Sequence, residues 1–395
     1  MKAYFGACGI GFGHVGRCIP IAEQLAKEGF EILFSTYSEG LEFASRLGFP
    51  CRRAPPIGFA VKSDGGVDFR TTTVNPGPFI ASYTVLRQIA FELMTMRAFR
   101  PNIVISDSRV STIVAAKLLK VPCITILNQF RITIPAKRRF VRLAKLADFG
   151  ILALIGRIWT LSDWVLIPDF PLPYTISIGN LRIPKRYLKK VFLMGPILPV
   201  YPENLPDAEL LRKKLMVDPR HTLIFAPISG PVKEREPLLR LLEEAFASFP
   251  EDYEIVMSQG KVGSSEPRIL KGGCLRIHPW IENRFEYLKA CDLVISRAGH
   301  GTVAQTMVYG KPSILIPTPD HTEQLQNAIR LEEMGIAKVI SQHEASTKVL
   351  LAGVMEILRG NDYTKRSAEV GASIRPYNGV NMALEIVQKS LGLKL

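Results

Sequence analysis

The 395-residue chain has no apolar run of the roughly 18 residues that a membrane-spanning helix needs, so a bilayer-crossing segment is not expected. It opens directly into a strand-like segment, MKAYFGAC, without the charged region, apolar core and cleavage site of a signal peptide. The expected location is therefore the cytoplasm. Its six cysteines, Cys8, Cys18, Cys51, Cys123, Cys274 and Cys291, include no C-x-x-C pair. They are expected as buried free thiols, which excludes a zinc site and a disulfide framework. No D-x-D motif occurs, and there is no low-complexity tract or short-period repeat.

Acidic residues are scarce in one half. Residues 1–190 hold 26 Lys and Arg against 12 Asp and Glu, while residues 191–395 hold 24 of each, so the net charge of +14 lies wholly in the first half. Such an asymmetry argues for an anionic partner touching that half, a nucleic acid or a membrane surface. The basic stretch AKRRFVRLAKLADFGILALIGRIW, 136–159, puts Arg138, Arg142 and Lys145 at helical spacing on one side. Phe140, Leu143, Ala147, Ile151 and Leu154 fall on another. A helix of that kind fits an anionic bilayer interface, and its alternative is a domain helix with a solvated charged face. No set of stacking aromatics accompanies the charge, and no nucleic-acid module is recognisable, so nucleic acid is not an expected partner.

What is present is an alternation of β-branched runs with helical stretches. KAYFGAC, EILFST, NIVISD and CITILN alternate with helices such as IPIAEQLAKEG and STIVAAKLLK. After a proline-rich connector the pattern restarts with TLIFAPISG, YEIVMSQG, LVISRAG and SILIPT. This is the signature of two parallel sheets, each wound with helices. The expected division is an N-terminal Rossmann-like domain over 1–175, a linker over 176–200, a second such domain over 201–375, and a C-terminal helix over 376–395 that could pack back on the first.

Two glycine-rich turns carry the chemistry. GIGFGHVGR, Gly9 to Arg17, fits the G-x-G-x-x-G spacing with Gly11, Gly13 and Gly16, but the second strand ends without the carboxylate a dinucleotide site requires. A dinucleotide is therefore not the expected ligand. The glycines would still let an anion approach a helix mouth. In the second half, Ser296-Arg297-Ala298-Gly299-His300-Gly301-Thr302 runs from a strand into a helix, which reads as a diphosphate cradle.

The block from His278 to Ala328 resembles the donor-binding region of GT-B glycosyltransferases, both the uridine-diphosphate enzymes and the MurG-type N-acetylglucosaminyltransferases. The resemblance implies an α/β, GT-B fold: two doubly wound Rossmann-like domains facing across a cleft. It implies that Trp280 and Ile281 face uracil, that Arg297 meets the diphosphate, and that Thr302 binds phosphate beside Gly299, His300 and Gly301. Ser229 and Gly230 would join the donor site, and Glu323 with Gln324 would hold the sugar hydroxyls. Gln305 stands where the family has the ribose-binding glutamate, which leaves the nucleotide open. The loop with Gly11, Gly13, Gly16 and Arg17, together with Asn128, would serve the acceptor side. His14 would act as general base there, and Asp107, whose alternative role is a helix cap, would hold its tautomer.

These residues imply an inverting, metal-independent transfer with no cofactor, in which a uridine-linked donor such as UDP-N-acetylglucosamine gives its sugar to a lipid or lipid-linked acceptor. The enzyme would work peripherally on the inner membrane face. A nucleotide-sugar 2-epimerase of the same fold, and a non-catalytic nucleotide-sugar or lipid-binding protein, are the alternatives.

Overall fold

The computed structural model describes residues 1–57, 77–127, 156–181, 183, 185–261, 266–360 and 362–393. They fall into two compact units, one holding the chain up to Pro199 together with Tyr377–Leu395, the other Val200–Pro376.

The first unit runs β1 (Lys2–Ala7), α1 (Gly13–Lys27), β2 (Glu31–Thr36), α2 (Ser38–Arg46), β3 (Cys51–Arg53), α3 (Gly77–Phe99), β4 (Ile103–Asp107), α4 (Val110–Leu118), β5 (Cys123–Ile126), β6 (Trp164–Ile167), the short α5 (Ile178–Leu181) and β7 (Val191–Leu193). The strands lie in the order β3-β2-β1-β4-β5-β6-β7, all parallel. Strands buried on both faces must be apolar almost throughout. Accordingly, β1 is buried from Ala3 to Ala7, and Phe5 stacks on Phe34 of β2 with centroids 4.9 Å apart. Strand order reverses between β1 and β4, the place where an open α/β sheet leaves a crevice at its carboxyl ends.

The second unit runs α6 (Ala208–Lys214), β8 (Thr222–Pro227), α7 (Val232–Ala247), β9 (Tyr253–Ser258), β10 (Arg268–Leu270), β11 (Leu275–His278), α8 (Arg284–Ala290), β12 (Leu293–Ser296), α9 (His300–Val308), β13 (Ser313–Leu315), α10 (Thr322–Glu333), β14 (Ala337–Val339), α11 (Thr347–Arg359) and α12 (Asp362–Ile374). Its order is β10-β11-β9-β8-β12-β13-β14, parallel except for the β10–β11 edge pair. Here the reversal lies between β8 and β12, the two strands that feed into Ser229-Gly230 and into the loop before α9.

The stretch 176–200 is not a free linker. It supplies β7, which pairs with β6, so the first unit extends to Pro199. The last helix, α13 (Gly379–Ser390), then returns to the first unit, where Ala383, Ile386 and Val387 share a core with Ile19 and Ile21 of α1. A Cβ on Gly379 would lie 2.5 Å from the Gly195 carbonyl oxygen, so this contact of backbone on backbone needs glycine. Among the described residues, no helix is long and apolar enough to cross a membrane.

Candidate functional site

The turn after β1 uses its glycines for different reasons. A Cβ at Gly9 would strike the Tyr37 carbonyl oxygen at 1.9 Å, and Gly11 has a φ of +65° that other residues rarely adopt. Gly13, at the first position of α1, meets neither constraint: a Cβ there would touch nothing within 4 Å. What glycine preserves at that position is open space.

One residue on, His14 turns its ring towards β4. Its Nδ1 lies 2.7 Å from Asp107 Oδ1, and its side chain is 25% exposed while that of Asp107 is fully buried. Arg17, one turn further along α1, grips the same carboxylate with Nε on Oδ2 and with Nη2 2.6 Å from Oδ1. Burial opposes ionisation of Asp107, but Arg17 and then His14 outweigh it and hold the carboxyl below its usual value. The carboxylate is therefore charged. Arg17 Nη2 also lies 3.0 Å from His14 Nδ1, and that nitrogen cannot both donate to Asp107 and accept from Arg17. An ionised Asp107 accepts a hydrogen bond from Nδ1–H, and in the neutral ring this leaves the lone pair on Nε2.

Of the two roles read for Asp107, partner of His14 or helix cap, the cap falls away, since the N-cap of α4 is Arg109. One expectation changes. Arg17 was expected on an acceptor or phosphate, but its guanidinium is committed to Asp107 inside the unit. The sequence also gave no sign of the ion pair beneath, Arg109 with Glu92 at 2.5 Å, in which Tyr4 and Ser35 also donate to Glu92. These partners come from β1, β2, α3 and the turn between β4 and α4, and no spacing in the chain reveals that they meet. Asn128, Arg138, Arg142 and Lys145 lie outside the described residues.

In the second unit, β12 ends at Ser296 and α9 begins at His300, with Gly299 as N-cap and no side-chain cap. Gly299 has an ordinary φ of −67°, and a Cβ on Gly299 or Gly301 would meet nothing within 4 Å. Neither conformation nor packing requires glycine at these positions. Both leave space over a first turn whose N–H groups have no intrahelical acceptor and which attracts anions.

Beside that turn is a pocket of about 50 Å³. It gathers five of the sequence candidates, Ser229, Trp280, Ile281, Thr302 and Gln305. Sequence reasoning missed Ser258, Gly260, Arg284 and Phe285, which also line it. No Asp or Glu does. Gly230, with φ +114°, is not part of the lining, and its carbonyl accepts from buried Arg235 Nη1 at 2.6 Å.

Arg297 is the main correction in this unit. Its Nη1 donates to the carbonyls of Ile316 and Pro317 at 3.1 Å each, and Nη2 to that of Glu234 at 2.9 Å. Burial lowers its pKa to about 10. The guanidinium braces the loop that presents α9 and is not turned out to receive a diphosphate. His300 is likewise buried and does not line the pocket. Glu323 and Gln324 open α10 and also stay out of the lining. Gln324 Oε1 accepts from Thr318 N at 3.0 Å, and Asn327 Nδ2 donates to Ala298 O at 3.1 Å, tying α10 to the loop before α9.

Comparison with known proteins places relatives beside both halves. Residues 232–375 match the glycosyltransferase family 28 C-terminal domain, and residues 1–148 match glycosyl transferase family 1. An uncharacterized glycosyltransferase of Methanosarcina mazei is 26% identical over 399 residues, all of both chains. The UDP-N-acetylglucosamine–N-acetylmuramyl-(pentapeptide) pyrophosphoryl-undecaprenol N-acetylglucosamine transferase of Desulforamulus reducens is 30% identical over 208 residues, 49% of this chain and 55% of that one. Among solved structures, the calicheamicin glycosyltransferase CalG4 superposes with a TM-score of 0.67 at 16% identity, covering 99% of this chain and 98% of that one. MurG of Acinetobacter baumannii does so with 0.60 at 17% identity, covering 98% and 99%.

Proposed function

We propose that this chain, a glycosyltransferase of the GT-B fold, moves a sugar from a uridine-linked nucleotide donor to a lipid or lipid-linked acceptor with inversion and without a metal. The observation that carries the donor side is the pair Gly299 and Gly301, glycines that neither backbone nor packing demands, over the N-terminus of α9 and next to the pocket with Trp280 and Gln305. N–H groups of the helix start, with the Thr302 hydroxyl, receive the diphosphate, and the helix dipole favours its charge. Arg297 acts at one remove by fixing the loop. Glu323 and the remaining amide of Gln324 are assigned to the sugar hydroxyls, and this assignment rests on the family resemblance.

In the transfer, the acceptor hydroxyl gives its proton to His14 Nε2 as its oxygen attacks the anomeric carbon. The bond from that carbon to the diphosphate oxygen breaks, and the electron pair leaves on the diphosphate. Asp107 fixes the Nδ1–H tautomer and stabilises the imidazolium that forms, a contribution of general-base catalysis on the order of 10²- to 10⁴-fold. Arg17 keeps Asp107 ionised and in place. The leaving charge is met by backbone dipoles, which need no ion.

The lipid assignment draws on the basic and apolar stretch 136–159 and on the acceptor named for the Desulforamulus reducens relative. The inner membrane face is the proposed place of work, reached peripherally. Incubating the chain with a panel of nucleotide sugars and a membrane lipid extract, with and without EDTA, tests the reading by mass detection. A glycosylated lipid formed from a uridine-linked donor in EDTA supports it. Strict dependence on Mg²⁺ or Mn²⁺ would sink the metal-free mechanism, and a C2-epimerised donor formed without acceptor would replace the transferase reading.

A further inference from the structure

We propose that Arg284 reads the nucleotide base, donating to a carbonyl on its edge, so that the pocket takes the keto bases uracil, thymine and guanine over the amino bases cytosine and adenine. This rests on the donor-site reading above and names the selectivity of that site.

Arg284 opens α8, three residues after Ile281, and its side chain lines the pocket. Its guanidinium carbon lies 4.8 Å from the centroid of the Phe285 ring, and Phe285 itself stacks on Tyr309 with centroids 5.9 Å apart. The fork is thus packed on an aromatic wall, with little freedom to swing away. Among the described residues, no carboxylate pairs with it and no acceptor hydrogen-bonds to it. Among the described residues, no Asp or Glu lines the pocket, where Gln305 supplies only a neutral amide. Burial lowers the proton affinity of Arg284, as it must for a cation without a compensating anion.

A half-buried planar donor fork that faces a pocket, with no protein acceptor among the described residues, is placed to meet an acceptor from a ligand. The diphosphate is already placed at the start of α9. Arg284 stands instead with Trp280, Ile281 and Phe285, the aromatic and apolar wall that suits a flat base. Uracil and thymine offer O4 there, and guanine offers O6 with N7. Cytosine and adenine present an amino group, which is a donor and meets a guanidinium donor to donor. The discrimination is therefore both attraction for one class and repulsion of the other.

The test is calorimetric binding of UDP, dTDP, GDP, CDP, ADP and inorganic pyrophosphate to the full chain and to Arg284→Met and Arg284→Lys. The parent should bind the keto diphosphates at least about ten-fold tighter than CDP and ADP. Arg284→Met should weaken the keto nucleotides by about 10- to 100-fold, leave pyrophosphate unchanged and bind CDP and ADP no more weakly than the parent does, so that selectivity collapses. Arg284→Lys keeps the charge but loses the fork, and it should fall in the same direction while remaining folded. Equal losses for all five nucleotides and pyrophosphate would make Arg284 a phosphate ligand and overturn the inference, as would unchanged selectivity in both variants. Should the parent bind no nucleotide at all, it is the donor-site reading that fails.

Discussion

Replacing Gly301 with alanine separates stability from function in a way that few substitutions allow. Gly301 is the second residue of α9, exposed, and its Cβ would meet no atom within 4 Å. Glycine inside a helix costs about 0.5–1 kcal/mol relative to alanine, so Gly301→Ala should stabilise the fold. In a unit of this size about 1 kcal/mol corresponds to a shift of roughly 2–4 °C, and a small rise in melting temperature is expected. Donor binding should move the other way. The added methyl occupies the space reserved over the helix start and pushes the diphosphate off at least one N–H group. A hydrogen bond to a charged group contributes about 1.5–3 kcal/mol, and losing one weakens UDP binding by roughly 10- to 100-fold. Thermal denaturation and calorimetric titration with UDP read the two effects on one sample. A variant that melts higher and still binds UDP like the parent would show that the glycine is not kept for a ligand, and the donor assignment would lose its main support.

His14→Ala should cut transfer by at least about 10²-fold with UDP affinity retained, since His14 belongs to the other unit; parallel loss of UDP binding would make the histidine structural. Asp107→Asn should remove a stability term whose sign is fixed by its depressed carboxyl: the term is present above the unfolded value of about 3.9 and is lost as pH falls through the lower folded value. Melting curves from pH 7 to pH 2 should therefore show parent and variant converging at the acid end, and a constant gap between them would refute the assignment. Charge reversal of Arg138, Arg142 and Lys145 to glutamate should abolish salt-sensitive sedimentation with anionic vesicles, at about 1 kcal/mol or more per position, while turnover on a water-soluble acceptor analogue persists. Undiminished vesicle binding by that triple variant would remove the membrane assignment.

The strands that the sequence shows plainly are those buried on both faces, such as β1, β4, β8 and β12, because full burial forces long apolar runs. β3, β7, β10 and β14 are three residues each, too short for any periodicity to register. The same limit hid the role of 176–200, where a three-residue strand decides which unit the segment joins. At the site, residues contiguous with a glycine turn, His14 and Thr302, are legible because the turn fixes their place. Arg297 misled for the opposite reason. Its charge suggests an anion, but three carbonyls contributed by α7 and the turn after β13 converge on it, and backbone oxygens leave no trace in a sequence. Arg284 was passed over because nothing around it in the chain marks it, and its significance is that, among the described residues, folding brings no carboxylate to it.

The return of α13 to the first unit has a consequence for synthesis. Chains emerge from the ribosome amino end first, and domains generally fold as units when their residues are available. The second unit ends at Pro376 and is complete once that residue has emerged. The first is begun earlier but finished later, because Ala383, Ile386 and Val387 are the last pieces of the core that supports α1. During that interval the apolar side of α1 at Ile19 waits uncovered, and His14, on the same helix, sits on an unfinished scaffold. Because α13 follows Pro376 in the chain, the histidine site is finished later than the pocket beside α9.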